Sequence, residues 1–203
     1  MTLLEFSNVE VDHSITISFV LHEGEARVLQ VPTRDAEIAV MDLALGELVP
    51  EKGAVFLFGQ SIKSSKPGSI GWIPSEGGLI NNLKTWENIT LPLWYFNGKN
   101  SKNTEEFILN LLPTLGLDKL FWTRFMASPV AELEVWEKKL VCLLRGLVHS
   151  PRLLVVSAGL FDEVEASSSQ LWISALDNFV HSEENRGLLV VAKNNVSLPW
   201  NII

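Results

Sequence analysis

The stretch VPTRDAEIA, residues 31–39, decides how this chain is read. Before it runs EARVLQV (25–31), rich in residues that suit a strand, and from within it runs EIAVMDLALG (37–46), apolar at helical spacing. A strand passing straight into a helix is where an α/β domain places a phosphate-binding loop. The helix start there offers unpaired N–H groups and partial positive charge. Such loops read G-x-x-x-x-G-K-[ST]: glycines let the backbone close around phosphates, lysine reaches the outer phosphates and the hydroxyl holds Mg²⁺. Residues 31–39 keep the frame but contain neither glycine nor lysine.

Upstream, LLEFSNVEV (3–11) and SITISFVL (14–21) read as strands, and HEGE (22–25) as the turn into the third. Downstream, the helix of 36–45 is followed by a turn, GELVPEKG (46–53), and a strand, AVFLFG (54–59). GSIGWIP (68–74) reads as a short strand entering a loop. The segment of about 74–130 is helical and irregular, with helices in TWENITLPLWYF (85–96) and TEEFILNLLPTLGL (104–117). VAELEVWEKKLVCLLRGLVHS (130–150) reads as one long amphipathic helix ending before Pro151. RLLVVSA (152–158) and GLLVVAK (187–193) are unbroken apolar runs, typical of buried parallel strands, and SSSQLWISALDNFV (167–180) is the helix between them. The order predicts an α/β fold: a mainly parallel sheet with an antiparallel N-terminal β flank and a helical subdomain. Residues 1–203 are read as a single domain, with a core of 1–73 and 131–203 and a helical subdomain of about 74–130. No internal repeat is present, and SSKPGS (64–69) reads as a surface loop.

The bulk numbers narrow the function. With 203 residues and 47% hydrophobic content the chain can bury a real core. A formal charge of −8, with lysine and arginine scattered, argues against a nucleic-acid surface. The single cysteine, Cys142, allows no internal disulfide; in KKLVCLLRGL it reads as a small buried core residue. The N-terminal MTLLEFSNVE lacks the pattern of a signal peptide, and no apolar stretch reaches the roughly 18 residues that span a bilayer, so a cytoplasmic location is expected. Seven tryptophans and a mean hydropathy of +0.20 leave room for an apolar interface. His22, His149 and His181 show no metal-ligand spacing and read as surface or helix-end residues; no G-x-S-x-G elbow is present.

Three stretches together resemble the ATP-binding cassette (ABC) transporter ATPase family. ALGELVPEKGAVFLFGQSI is similar to the segment after that family's phosphate loop, and GWIPSEGGLINNLKTWENITLPL to its Q-loop and following helices. LLRGLVHSPRLLVV is similar to the helix after the signature motif, leading into the Walker B strand. Order and spacing fit over nearly the whole chain, and the Q-loop stretch also resembles the MCE-type bacterial lipid-transport ATPases. The implied fold is P-loop NTPase-like.

Carried over position by position, the resemblance implies a degenerate site. The phosphate-loop glycines fall on Val31 and Ala36, the lysine on Glu37 and the hydroxyl on Ile38. Glu37 puts an anion where a cation meets phosphate. A charge pair at 4 Å is worth about 1 kcal/mol in water and about 4 kcal/mol near a protein surface, and reversal applies that twice. The Q-loop glutamine falls on Ser75, the Walker B aspartate on Ser157, the catalytic glutamate on Ala158 and the switch histidine on Lys193. The signature LSGGQ falls on Leu133, Glu134, Val135, Trp136 and Glu137, with Trp136 in the space the glycines keep open. The adenine-stacking aromatic has no clear match; His13, in VDHS, is a poor candidate. Asp162 and Glu163 could be a shifted Walker B pair only if the strand ran on through Ala158 and Gly159. They read better as solvated residues opening the next helix. Asp35 and Glu37 are expected to cap the helix start in place of phosphate.

The family works as head-to-tail dimers, so a chain lacking both phosphate loop and signature leaves neither composite site intact. The expectation is a pseudo-ATPase with no catalytic residue, metal or cofactor. It would lie at the inner face of the membrane and serve the assembly or regulation of a transporter, with lipids as one possible cargo. The implied partners are a membrane permease subunit and a homologous ATPase subunit or a second copy; no nucleic acid is expected. The permease contact is placed on Ser75, Glu76, Leu79, Leu83 and Trp86. Trp72, Trp94, Tyr95 and Phe96 supply further rings that serve either this interface or the subdomain's own core. Two alternatives stay open: a residual ATPase using Asp162, Glu163 and Lys193, or a free-standing protein that binds a small ligand in the empty cleft.

Overall fold

The computed structural model describes residues 1–12, 15–62, 70–97, 102–148, 150–193 and 197–203. His13, His149 and the loop 64–69 lie outside the described residues, as do the side chains of Tyr95 and Phe96. The chain forms two compact units: residues 1–72, 151–158 and 179–203, and residues 73–150 and 159–178.

The first unit is built on two sheets. Strands β1 (Thr2–Asp12), β2 (Ile15–His22), β4 (Ala54–Leu57) and β5 (Gln60–Ser61) form an antiparallel sheet in the order β2-β1-β4-β5. Strands β3 (Ala26–Val31), β6 (Ile70–Ile73), β7 (Leu153–Ser157), β8 (Gly187–Lys193) and β9 (Asn201–Ile202) form the second, in the order β6-β7-β8-β3-β9. Within it β8 runs parallel to both β7 and β3, pairing Val190 with Val156 and with Val28. All five residues of β7 are buried, as are all of β8 except Lys193. That accounts for their unbroken apolar sequences.

Helix α1 (Arg34–Leu45) touches both sheets. Its Ala36, Val40, Leu43 and Ala44 share one core with Leu4 and Phe6 of β1, Val55 of β4, Val155 of β7 and Val191 of β8. The spacing of those four residues gives α1 its buried face. The helix stops at Gly46, whose φ of 78° is left-handed and whose N–H reaches back to the carbonyls of Asp42 and Leu43.

The second unit is helical: α2 (Thr85–Asn97), α3 (Lys102–Thr114), α4 (Lys119–Ala127), α5 (Val135–Val148) and most of α6 (Ala166–His181). Residues 131–150 and 159–178 group here rather than with the core to which the sequence assigned them, because α5 packs on α2 and α3. Helix α4, with Asp118 as its N-cap, is an element the sequence reading did not separate.

The long helix expected over 130–150 is broken. Val130–Glu132 form a single 3-10 turn, Leu133 is extended at φ −79° and ψ 147°, and α5 begins only at Val135. The break has a local cause. The carbonyl of Glu134 accepts the first bond of α5, from Lys138, while the Glu137 carboxylate accepts from the Glu134 N–H. The folded-back Glu137 carboxylate thus satisfies the Glu134 N–H just where the helix's own backbone bonds begin, and this fixes the start of the helix.

Candidate functional site

At the phosphate-loop position the chain leaves β3 at Val31 and enters α1 at Arg34, so Pro32 and Thr33 are the whole connection. A loop that wraps phosphate holds several residues out of the helix so that their N–H groups converge. Here residues 34–36 are already helical, and no residue of 31–38 adopts left-handed φ.

The cap of this helix differs from the expected one. Thr33, extended at φ −131° and ψ 159°, is the N-cap: its hydroxyl accepts from the Ala36 N–H at 3.1 Å and its carbonyl from the Glu37 N–H. Asp35 is exposed. Glu37 faces inward at 2% exposure, where its carboxylate accepts from Arg34 Nη1 at 2.9 Å and from the hydroxyl of Ser157. The expectation that Asp35 and Glu37 cap the helix is therefore corrected. A threonine oxygen reaches the helix N–H groups from the N-cap, whereas a glutamate one turn in points away from them.

Glu37 on α1 and Ser157 at the end of β7, the residues on which the resemblance places the phosphate-loop lysine and the Walker B aspartate, are thus in direct contact. A buried carboxylate requires partners, and the two charge-assisted bonds supply them. Ser157 is the last residue of β7, and Ala158 begins a 3-10 turn, Ala158–Phe161. The strand does not continue through Gly159, so no shifted Walker B strand carries Asp162 and Glu163. Both are exposed in the turn ahead of α6, with Glu163 at φ 57°. The carbonyl of Glu165 accepts the helix's first bond, from Ser169, so neither acid opens the helix as expected. Lys193 ends β8, exposed, paired in register with Val31. Ile38 is 46% exposed.

In the helical unit the five signature-position residues form a closed helix start. Leu133 is buried and Val135 is 54% exposed. The Trp136 ring stacks on Phe121 at 5.4 Å between centroids, and Phe121 stacks in turn on Phe125. Trp136 Nε1 donates to the Glu134 carboxylate at 2.9 Å. Glu137 is buried and accepts from Arg124 at 2.5 Å as well as from the Glu134 N–H.

The stretch after the Q-loop position is held from within. Gly77 and Gly78 both adopt left-handed φ, and their carbonyls accept from Cys142 and Arg145 of α5. Asn88, fully buried, pins the loop: its oxygen accepts from the Ile80 N–H at 2.8 Å, and its amide donates to the carbonyls of Ile80, Leu83 and Lys84. Glu87 caps α2 by accepting from the Lys84 N–H at 2.7 Å. On this scaffold Ser75 is buried, Glu76 is exposed, Leu79 and Leu83 are half-buried, and Ile80 is exposed. Trp86 is half-buried and faces a cavity within the helical unit, while Trp72 and Trp94 are exposed. Burial pushes the Cys142 thiol above its ordinary range.

Thr33, Arg34, Asn88 and Arg124 carry these arrangements and were not singled out in the sequence. A threonine just before a helical run is a recognisable N-cap signal. The other three act through partners set by the fold. Among the described residues no group of three histidine, cysteine, aspartate or glutamate side chains converges, and no helix is long and apolar enough to cross a membrane.

No family model matches the chain. The chain is 23% identical over 193 residues to ABC transporter G family member 23 of Dictyostelium discoideum, covering 92% of this chain and 25% of that protein. It is 27% identical over 143 residues to the Nod factor export ATP-binding protein I of a Rhizobium species, covering 69% of this chain and 45% of that one. It therefore spans between a quarter and about half of these relatives' length. Among solved structures, the ATP-binding subunit of an ABC transporter superposes with a TM-score of 0.77 at 17% identity, covering 95% of this chain and 80% of that one. A dimeric ATP-binding cassette in a post-hydrolysis state with ADP and Pi gives 0.76 at 16% identity, covering 95% and 88%.

Proposed function

We infer from its likeness to ATP-binding cassette relatives and solved structures that the chain is a member of the ATP-binding cassette ATPase family, and we propose that it is a pseudo-ATPase, retained for its shape and contacts. The observation that carries this reading is the buried bond between Glu37 and Ser157, with Arg34 as the second partner of the carboxylate. It occupies the phosphate-lysine and metal-aspartate positions with groups that satisfy each other. A Mg-ATP entering there would meet an anion where the family presents a cation, and a helix where it presents a loop. The signature positions are filled by the Trp136–Phe121 stack, so a partner subunit would find no open helix start. The protein works, in this reading, at the inner face of a membrane. It binds a permease subunit, and a related ATPase subunit or a second copy, in assembly or regulation of a transporter. Of the expected permease contact, Glu76, Leu79 and Leu83 remain the proposed surface; Ser75 is buried and Trp86 faces the internal cavity, so neither is part of it. Its loop keeps an internal scaffold, centred on Asn88, while the catalytic positions have diverged. The likeness to MCE-type ATPases makes lipid-transport permeases the first partners to test.

Isothermal titration calorimetry of the purified chain with Mg-ATP tests the reading. The expected result is no heat of binding up to millimolar nucleotide. A micromolar isotherm would overturn it and return the chain to the alternative of a residual ATPase.

A further inference from the structure

The helical unit contains a cavity of about 390 Å³ that no part of the proposed function uses. It lies among three helices: α2 contributes Trp86, α3 contributes Glu105, Ile108 and Leu112, and α4 contributes Trp122 and Met126. Ile108 and Leu112 are buried and form its floor, while Trp86, Trp122 and Met126 are half-buried. Glu105 is exposed, and makes no hydrogen bond or ion pair with any described residue. The volume falls within the roughly 300–1,000 Å³ of small-molecule sites.

We infer that this cavity binds an organic ammonium cation, with Trp86 and Trp122 against its alkyl groups and Glu105 as the counter-charge. The lining selects that class. Two indoles, a thioether and aliphatic side chains favour an apolar body. Their π-systems attract a cation more than a neutral group of equal shape. Among the described residues the one ionisable group in the lining is the Glu105 carboxylate, which has no partner among them and disfavours anions. A hydrated metal ion would find a single oxygen ligand and an apolar wall. A quaternary ammonium is weakly hydrated and enters such a wall at lower cost. The cation could be free in solution or be the headgroup of a choline lipid; the chemistry of recognition is the same. The inference rests on the helical unit alone and is independent of whether the chain binds nucleotide.

The test uses the full chain and follows the indole N–H signals of Trp86 and Trp122 by NMR. Choline is titrated in parallel with 3,3-dimethyl-1-butanol, its uncharged isostere. Choline is expected to shift these two signals saturably in the millimolar range, and the isostere to bind at least about 5-fold more weakly. Glu105→Gln, an exposed and structurally mild change, should weaken choline about 5-fold; Trp122→Leu should weaken it about 10-fold. Co-sedimentation with phosphatidylcholine vesicles, against phosphatidylglycerol vesicles, then identifies the source. Choline-competed binding to the former points to a lipid headgroup, and its absence points to a free cation. Equal affinity for the isostere, an unchanged affinity in Glu105→Gln, or no saturation by about 50 mM choline would overturn the inference.

Discussion

Ser157 donates its hydroxyl hydrogen to the carboxylate of Glu37, 120 residues earlier in the chain, tying the end of β7 to the first turn of α1. Both side chains are buried, at 1% and 2% exposure, so the two positions are energetically coupled. An aspartate at 157 would set a second carboxylate against Glu37. Restoring one family residue alone should therefore damage the protein. Ser157→Asp is expected to lower unfolding free energy by about 3 kcal/mol, read from urea denaturation. Glu37→Lys alone should also destabilise, and should show no ATPase activity, because groups that act as a unit are non-additive. The double change Glu37→Lys, Ser157→Asp recreates an opposite-charge pair and should be more stable than the sum of its parts by about 1–3 kcal/mol. Additive losses would mean the two side chains do not communicate.

Thr33, not Asp35, holds the start of α1. Thr33→Ala is expected to cost about 1 kcal/mol, the usual loss for a helix N-cap. Asp35 is exposed, and Asp35→Ala should stay within about 0.5 kcal/mol of the parent. Thermal or urea melts of the two variants decide the matter, and a larger loss at Asp35 would reverse the assignment.

Asn88 serves four backbone groups of the loop 80–84 from a fully buried position. Asn88→Ala leaves the Ile80 N–H and the neighbouring carbonyls without this partner, and should destabilise by about 3 kcal/mol. Amide hydrogen exchange should show faster exchange at Ile80 in particular. Protection equal to the parent's would show that the loop is held by something else.

Leu79 and Leu83 are half-buried on that loop, so a change at either leaves the core filled, and both belong to the proposed permease contact. Leu79→Glu with Leu83→Glu is expected to abolish copurification with a permease from detergent extract while circular dichroism stays unchanged. Full-yield copurification of a folded variant would place the contact elsewhere.

Cys142 is 3% exposed, and burial pushes its thiol upward, with Arg145 opposing the shift only in part. At pH 8 the thiolate fraction is therefore below that of a free cysteine. Modification by a thiol reagent should be slow in the native protein and should rise to the ordinary rate in denaturant. Rapid native labelling would mean that α5 opens locally.

The sequence by itself determined the sheet. The continuous apolar runs at 153–156 and 187–192 can be satisfied only by burial on both faces, and the alternation of strand and helix then makes the sheet parallel. It also led to the expectation of which residues stand at the phosphate, metal and signature positions, because framework segments on either side set the spacing. Helix boundaries were less legible. The break at Leu133 depends on a glutamate three residues into α5 folding back on Glu134, a pattern hidden inside an otherwise continuous amphipathic run. The role of Glu37 could not be read from its neighbours. Local sequence puts two acids at a helix start, and nothing near them distinguishes which one caps it. Only the tertiary structure brings Ser157 beneath one of them and leaves the other in solvent. A carboxylate turns inward when a donor 120 residues away meets it there, and that encounter is fixed by the packing of α1 on β7, not by the sequence around either residue.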